Sequence, residues 1–186
     1  MYQNLKLQIQ GVINAPESEF NYFISKTKMI TLEKNETWKS EGEISQELAY
    51  LNNGLLRHFY NDDGNEKTAK FYMEGNWLGD LGSFLSKTPS LRNYVAVEKS
   101  ELVVLSFSDL EELYLKFPKM NRFGRLYAEQ LLIEEQKKNR SFKLDTAKIR
   151  YTKFKANFPD LSQRVPQYLI AQYLGIKPET LSRIRK

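Results

Sequence analysis

The chain predicts an α+β protein, an N-terminal antiparallel β-roll followed by helices. Three observations point there. Residues 27–106 form short alternating runs broken by glycine-bearing turns, the period becomes helical after Ser106, and Val165 to Lys186 read as two short helices about a glycine. Many short strands at regular spacing indicate a small antiparallel sandwich, roll or barrel.

Taken in order, the first 25 residues read as helical, with Glu19, Phe20, Tyr22 and Phe23 following Pro16. Candidate strands follow at Lys28–Leu32, Glu47–Leu51, Leu55–Asn61, Thr68–Met73, Tyr94–Val97 and Leu102–Ser106. Asn53-Gly54 and Asp62-Asp63-Gly64 mark hairpin or bulge turns, so the two acids read as turn residues rather than a chemical pair. Gly42, Gly75, Gly79 and Gly82 add further corners. Trp77 reads as a core anchor, with ligand stacking the alternative. His58, the sole histidine, reads as a packed or exposed strand residue rather than a metal or haem ligand.

Ser108, with Glu111 three residues on, predicts a capped helix that stops before Pro118. A longer helix should run on to about Asn139. Its apolar residues Met120, Phe123, Leu126, Tyr127, Leu131 and Ile133 form a stripe, and Glu129, Glu134, Glu135, Lys137 and Lys138 face water. Such a stripe packs either on its own domain or on a twin helix, and Gly124 with Ala128 would let two backbones approach closely. Asp145 is a candidate cap for a further helix from Thr146 to about Asn157, ended by Pro159.

In the last segment Ile170, Ala171 and Leu174 lie at helical spacing, Gly175 follows, and Leu181 and Ile184 form a second apolar pair. A helix-turn-helix requires this layout: a small residue where the helices meet, a glycine in the turn, apolar residues holding the angle. Pro178 suits the first turn of the second helix, where its missing N–H costs nothing. Thr180, Ser182, Arg183, Arg185 and Lys186 are left for the outer face, as donors for phosphates and base edges. An ordinary helical hairpin closing the domain is the alternative.

Charge agrees with a polyanion-binding tail. Residues 140–186 hold eleven Lys and Arg against three Asp and Glu, a net of +8, whereas residues 1–139 carry −3. Hydrophobic content of 41% with 13% aromatics is enough to fill a core, so the body should be globular. There is no cysteine, which removes disulfides, thiolate zinc sites and cysteine-bound clusters, and fits a reducing compartment. No run approaches the roughly 20 apolar residues that span a bilayer, and no signal-peptide core is present; cytoplasmic localisation without a membrane partner is the expectation.

The order of parts, with Glu41-Gly42-Glu43, Asn53-Gly54-Leu55-Leu56-Arg57, Asp63-Gly64, Gly75-Asn76-Trp77-Leu78-Gly79-Asp80-Leu81, Pro89-Ser90 and the late helix-turn-helix, resembles the Crp/Fnr family of bacterial transcription regulators. The resemblance runs from about Tyr22 to Lys186. It implies a β-roll of the double-stranded β-helix or jelly-roll type at 1–117, a connecting and dimerising helix at 118–140, and a helix-turn-helix domain at 141–186. Met120, Phe123, Tyr127 and Leu131 would then form the dimer seam, with a hinge near Phe142–Asp145. It also implies an effector pocket at Gly79, Asp80, Leu81, Pro89, Ser90, Arg92, Glu135 and Gln136. Family members that bind cyclic nucleotides carry a Glu where Asp80 stands and a phosphate-clamping Arg where Pro89 stands. A proline neither ion-pairs nor donates a backbone N–H, so cyclic AMP is not expected, and Arg92 is the candidate substitute clamp for another small effector. Glu135-Gln136 occupies the place of a base-reading Thr-Ser pair.

For DNA the resemblance names Lys177, Glu179, Thr180, Ser182, Arg183, Arg185 and Lys186, with Pro178 replacing an Arg or Ser. Most of the family's β-hairpin wing is lacking. The implied partners are double-stranded DNA at a pseudo-palindromic operator and a second copy of the chain, with RNA polymerase a further candidate. No cofactor or metal is expected. A ligand-binding or interaction module with a vestigial helix-turn-helix is the second reading. Enzymatic activity ranks last, because paired carboxylates, ligand spacings, nucleophile triads and phosphate loops are all missing.

Overall fold

A computed structural model describes residues 2–185. Helices α1 (Gln3–Val12) and α2 (Glu17–Ser25) lead into β1 (Thr27–Leu32), β2 (Thr37–Lys39), β3 (Glu47–Asn53), β4 (Leu56–Asp62), β5 (Asn65–Tyr72) and β6 (Trp77–Leu78). A short helix α3 (Leu81–Ser86) precedes β7 (Asn93–Ala96) and β8 (Ser100–Ser106). Helices α4 (Phe107–Lys116), α5 (Pro118–Leu144), α6 (Ala147–Asn157), α7 (Leu161–Arg164), α8 (Gln167–Leu174) and α9 (Pro178–Arg185) follow. The chain forms two compact units, one of Met1–His58 with Phe71–Ala128, the other of Phe59–Lys70 with Glu129–Lys186.

Two four-stranded sheets, in orders β1-β8-β3-β6 and β2-β7-β4-β5, build the roll. Strand β8 pairs antiparallel with β1 on one side and β3 on the other. Its continuous apolar run, Leu102 to Leu105, exists because both of its faces are covered. Leu102 and Val104 pack inward with Leu51, Leu56, Leu78 and Tyr94. Val103 and Leu105 pack outward on Leu5, Ile9, Phe20, Phe23 and Leu113 from α1, α2 and α4. Each fully buried side chain of this kind stabilises the fold by roughly 1.5–3 kcal/mol.

Trp77 belongs to the helix-covered core. Its indole N–H donates to Gln8 Oε1 at 2.9 Å, and its ring meets Tyr50, Phe23, Phe123 and Tyr127 edge-on. His58 is buried in β4, its Nδ1 2.9 Å from the Tyr72 hydroxyl, so it is a packed strand residue.

Three local expectations are corrected. Strands β2 and β6 were not foreseen; with three and two residues they are too short to show a period, and their partners β7 and β3 define them. The cap of α4 is Ser106, not Ser108: its Oγ accepts from Asp109 N at 3.0 Å. The space at Gly124 is filled from its own unit, since a Cβ there would lie 1.9 Å from the Tyr114 hydroxyl.

In the second unit α5 extends to Leu144, five residues beyond the expected end. Thr146, not Asp145, caps α6, accepting from Ile149 N. Asp145 instead receives Lys153 Nζ at 2.6 Å and the Ser141 hydroxyl, and these two hydrogen bonds hold its carboxyl below the usual range. Phe154, Phe158 and Tyr173 form an aromatic cluster tying α6 to α8. The tip of the β4–β5 hairpin is part of this unit: Thr68 Oγ1 donates to Gln172 Oε1 at 2.7 Å, Lys138 Nζ donates to Ala69 O, and Lys70 Nζ lies 3.6 Å from Glu134.

Candidate effector cavity and nucleic-acid interface

In the first unit a small cavity is lined by Trp38, Lys39, Ser40, Glu43, Ser45, Gly79, Asp80, Ser90 and Tyr94. The turn into α3 creates it. Gly79 has φ +152°, and a Cβ there would come within 3.1 Å of Glu47 O, so only glycine lets β3 and this turn approach so closely. Asp80 then caps α3, its Oδ1 accepting from Ser83 N at 3.2 Å.

The other carboxylate oxygen is equally engaged. Asp80 Oδ2 accepts from the Ser90 hydroxyl at 2.7 Å and lies 3.7 Å from Arg92 Nε. Ser90 Oγ in turn accepts from Arg92 N at 3.0 Å, while Ser90 N donates to Glu43 O and Gly42 N to Ser90 O. Ser83 Oγ accepts from Ser45 N and donates to Thr88 O, closing the loop on itself. The space that remains is about 10 Å³, roughly what one water needs.

Tyr94, from the second sheet, also lines the cavity, and its side chain is buried. Burial pushes its phenol up, and the nearby Arg92 guanidinium acts in the opposite direction. Burial likewise pushes Tyr72 well above the usual phenol range.

Of the residues expected in the pocket, Gly79, Asp80 and Ser90 line the cavity, and Arg92 reaches it through Asp80. Leu81 is 44% exposed and points elsewhere, and Pro89 is exposed beside Ser90. Glu135 and Gln136 are exposed on α5, in the second unit. Sequence reasoning missed Tyr94, Ser45 and Glu43. The alternation of β7 was the one available signal, since it turns Tyr94 and Ala96 inward.

The second site is α8 and α9. Gly175 ends α8 at φ +64°, its N–H bonding back to Gln172 O and Ile176 N to Ala171 O. Ala171, fully buried, is the small residue where the helices meet, and Leu174 and Leu181 hold their angle. Arg150 adds a brace that the sequence did not reveal, donating from Nε to Leu174 O at 3.0 Å and from Nη1 to Asp145 O at 2.8 Å. On α9 and its approach Lys177, Glu179, Ser182, Arg183 and Arg185 are exposed and Thr180 is half-buried; Arg183 Nη2 lies 3.4 Å from Thr180 Oγ1. Lys186 lies outside the described residues.

The residues expected at a dimer seam divide in two. Met120 is buried, and Phe123 and Tyr127 are half-buried, against the helix-covered core of their own unit. Leu131 is half-buried, while Leu132 and Ile133 stand 61% and 51% exposed. Among the described residues no three His, Cys, Asp or Glu side chains gather as a metal site, and no helix is long and apolar enough to cross a membrane.

Residues 29–117 match the family model of cyclic nucleotide-binding domains. Beyond the roll, the chain as a whole has the architecture of the Crp/Fnr transcription regulators. It is similar to the c-di-GMP-responsive global regulator CLP of Xanthomonas campestris, with TM-score 0.71 and 17% identity over 91% of this chain and 89% of that one. It is similar too to the Thermus thermophilus catabolite activator protein, with TM-score 0.59 and 21% identity over 96% and 84%. FixK2 of Bradyrhizobium japonicum gives TM-score 0.71 and 18% identity over 86% and 82%. No curated protein matches the sequence.

Proposed function

We propose that the chain is a cytoplasmic, homodimeric, DNA-binding transcription regulator without catalytic activity. The observation that carries this reading is α9: it is set by the Gly175 turn, anchored through Leu181, and presents Ser182, Arg183 and Arg185 outward with Lys177 at its approach. Such a helix fits the major groove, where Arg183 would read a guanine edge and the remaining cations would meet phosphates. Dimerisation would use the part of α5 not consumed by its own unit. Leu126 and Ile133, seven residues apart, share a face of that helix, and Leu132 adjoins them. A twin would place two recognition helices on half-sites about one helical turn apart.

The roll in this reading has an effector-type fold whose cyclic-nucleotide clamp is degenerate. A nucleotide needs a pocket on the order of 300 Å³ or more, against the ~10 Å³ present here. Pro89 supplies no cation, and the Asp80 carboxylate faces the space a phosphate would enter. Fluorescence anisotropy with a library of genomic fragments at several salt concentrations tests the reading. Selective, salt-sensitive binding with two chains per site supports it, and affinity no better than for random DNA overturns it.

A further inference from the structure

One cleft of ligand size lies outside the roll's interior, at the first two helices. We propose that this cleft between α1 and α2 binds a small aromatic carboxylate, held by Lys6 over the ring of Phe20, and that the ring stack beneath it links the occupied cleft to α5. Calling such a ligand an effector rests on the regulator reading above, whereas the site itself does not.

Helix α1 presents two faces. Leu5 and Ile9, four residues apart, are sunk in the core. Gln3, Lys6, Leu7 and Gln10 follow at positions i, i+3, i+4 and i+7, so they share the neighbouring face. With Tyr2 and with Phe20 of α2 they line an open cleft of about 420 Å³, within the range of about 300–1,000 Å³ that small-molecule sites occupy. The walls name the ligand's chemistry. Phe20 and Tyr2 supply rings, which attract a planar aromatic group edge-on or offset, and Leu7, 61% exposed, is apolar surface for that group to cover. Lys6 Nζ lies 5.7 Å from the centre of the Phe20 ring, so a ring stacked there sets its substituent beside a cation. Lys6 pairs with Glu17, but Glu17 stands outside the lining, and none of the lining residues is acidic. Gln3 and Gln10 add amides that both donate and accept. A planar ring carrying one carboxylate matches that set.

A second observation shows where occupancy would be felt. Phe20 stacks on Phe23, ring centres 6.2 Å apart, and Phe23 meets Trp77 edge-on at 6.4 Å. Trp77 in turn meets Phe123 and Tyr127 of α5. Helix α1 reaches the same indole directly, because Gln8 Oε1 accepts the Trp77 N–H at 2.9 Å while Gln8 Nε2 donates to Gly75 O. Close-packed rings transmit a displacement rather than absorb it, so a ligand that shifts α1 or Phe20 also shifts Trp77.

Titration of the full chain with naphthoate tests both parts. Calorimetry should give saturable binding below about a millimolar. Naphthylmethylammonium, the same ring with the opposite charge, and cyclohexanecarboxylate, the charge without the aromatic ring, should each bind about tenfold more weakly. Lys6→Gln should abolish the preference for the anion, and Glu17→Gln, which frees Lys6, should strengthen naphthoate binding. The indole N–H resonance of Trp77, assigned with the help of Trp38→Phe, should move with naphthoate over the same saturation range. No saturable binding, equal affinity for the cation, or an affinity indifferent to Lys6→Gln would overturn the site, and a stationary Trp77 resonance would overturn the link to α5. If Leu7→Glu altered the sedimentation of a chain that ignored naphthoate, a second copy would be the occupant and the proposal would fall. A chain that binds naphthoate as stated yet shows no selectivity for DNA loses the regulator reading and keeps the site.

Discussion

Arg183 and Arg185 lie two residues apart in the same short helix, both exposed, yet they should behave differently. If α9 enters a major groove as proposed, Arg183 meets a base edge, and Arg183→Ala should cost about 1–3 kcal/mol on the preferred site and relax one operator position. Arg185→Ala should weaken every sequence alike. Competition assays with single-base operator variants separate the two, and uniform losses from both would remove Arg183 as a base reader. Arg150 is a residue of another kind, since its two hydrogen bonds to main-chain carbonyls join the start of α6 to the end of α8. Arg150→Met keeps the stem and loses both charge-assisted bonds, so the second unit should lose about 1.5–3 kcal/mol in denaturant unfolding. Glu47 gives a pH dependence. Burial raises its carboxyl, but Lys28 at 2.7 Å and Lys39 at 2.9 Å outweigh this and leave it below its ordinary value. A carboxyl lowered on folding releases its proton more readily in the native state. Its contribution is therefore complete above the ordinary glutamate range and disappears as pH falls through the lowered value. Glu47→Gln should flatten the acid limb of a plot of denaturation midpoint against pH.

Among the elements, α9 and its turn were the most legible, β2 and β6 were not legible at all, and α5 was legible only in part. Gly175, Pro178 and the Ile170–Leu174 spacing are local signals, fixed by backbone geometry within a few residues, and they appear in the structure where the pattern put them. The stripe on α5 was visible too, but which partner it packs against is a tertiary fact. Met120 went to its own unit's core, and Gly124 made room for Tyr114 rather than for another helix. The cavity was half legible. Gly79 reads locally as a corner and Asp80 and Ser90 were named through the family resemblance, whereas their surroundings include Ser45, Glu43 and Tyr94, which no short window connects to them. At this scale Gly175→Ala should destabilise the second unit by about 1–2 kcal/mol, because a left-handed conformation opposes any Cβ and Phe142 Cε1 lies 3.0 Å from where it would sit. On α5, Ile133→Glu changes a residue that its own chain leaves 51% exposed. It should shift sedimentation from dimer to monomer at micromolar concentration while the roll's unfolding midpoint stays put. A monomeric wild type would refute the seam.

Across the whole molecule the charge asymmetry becomes a measurable slope. Lys148, Lys155, Lys177 and Arg185 are exposed cations with no acidic partner among the described residues. If the bound dimer neutralised five phosphates in all, the logarithm of affinity would fall with that of salt at a slope of about −4.5, roughly a five-hundredfold loss between 50 and 200 mM. A slope near zero would show that the basic C-terminal quarter of the chain is merely a solvated surface.

The β4–β5 hairpin has a consequence for inheritance. Its tip, from Phe59 to Lys70, belongs to the second unit, where Thr68 and Ala69 bond to Gln172 and Lys138. The chain therefore visits that unit twice, and no single cut separates the two units cleanly. A gene fusion that transplanted residues 129–186 alone would carry α9 but strand Gln172 without its donor, Thr68, and Lys138 without its acceptor, Ala69. Recombination that shuffles intact blocks of sequence could not pass α8 and α9 in their native setting to a new partner domain; it would have to take the hairpin along, and with it the strands that the first unit needs.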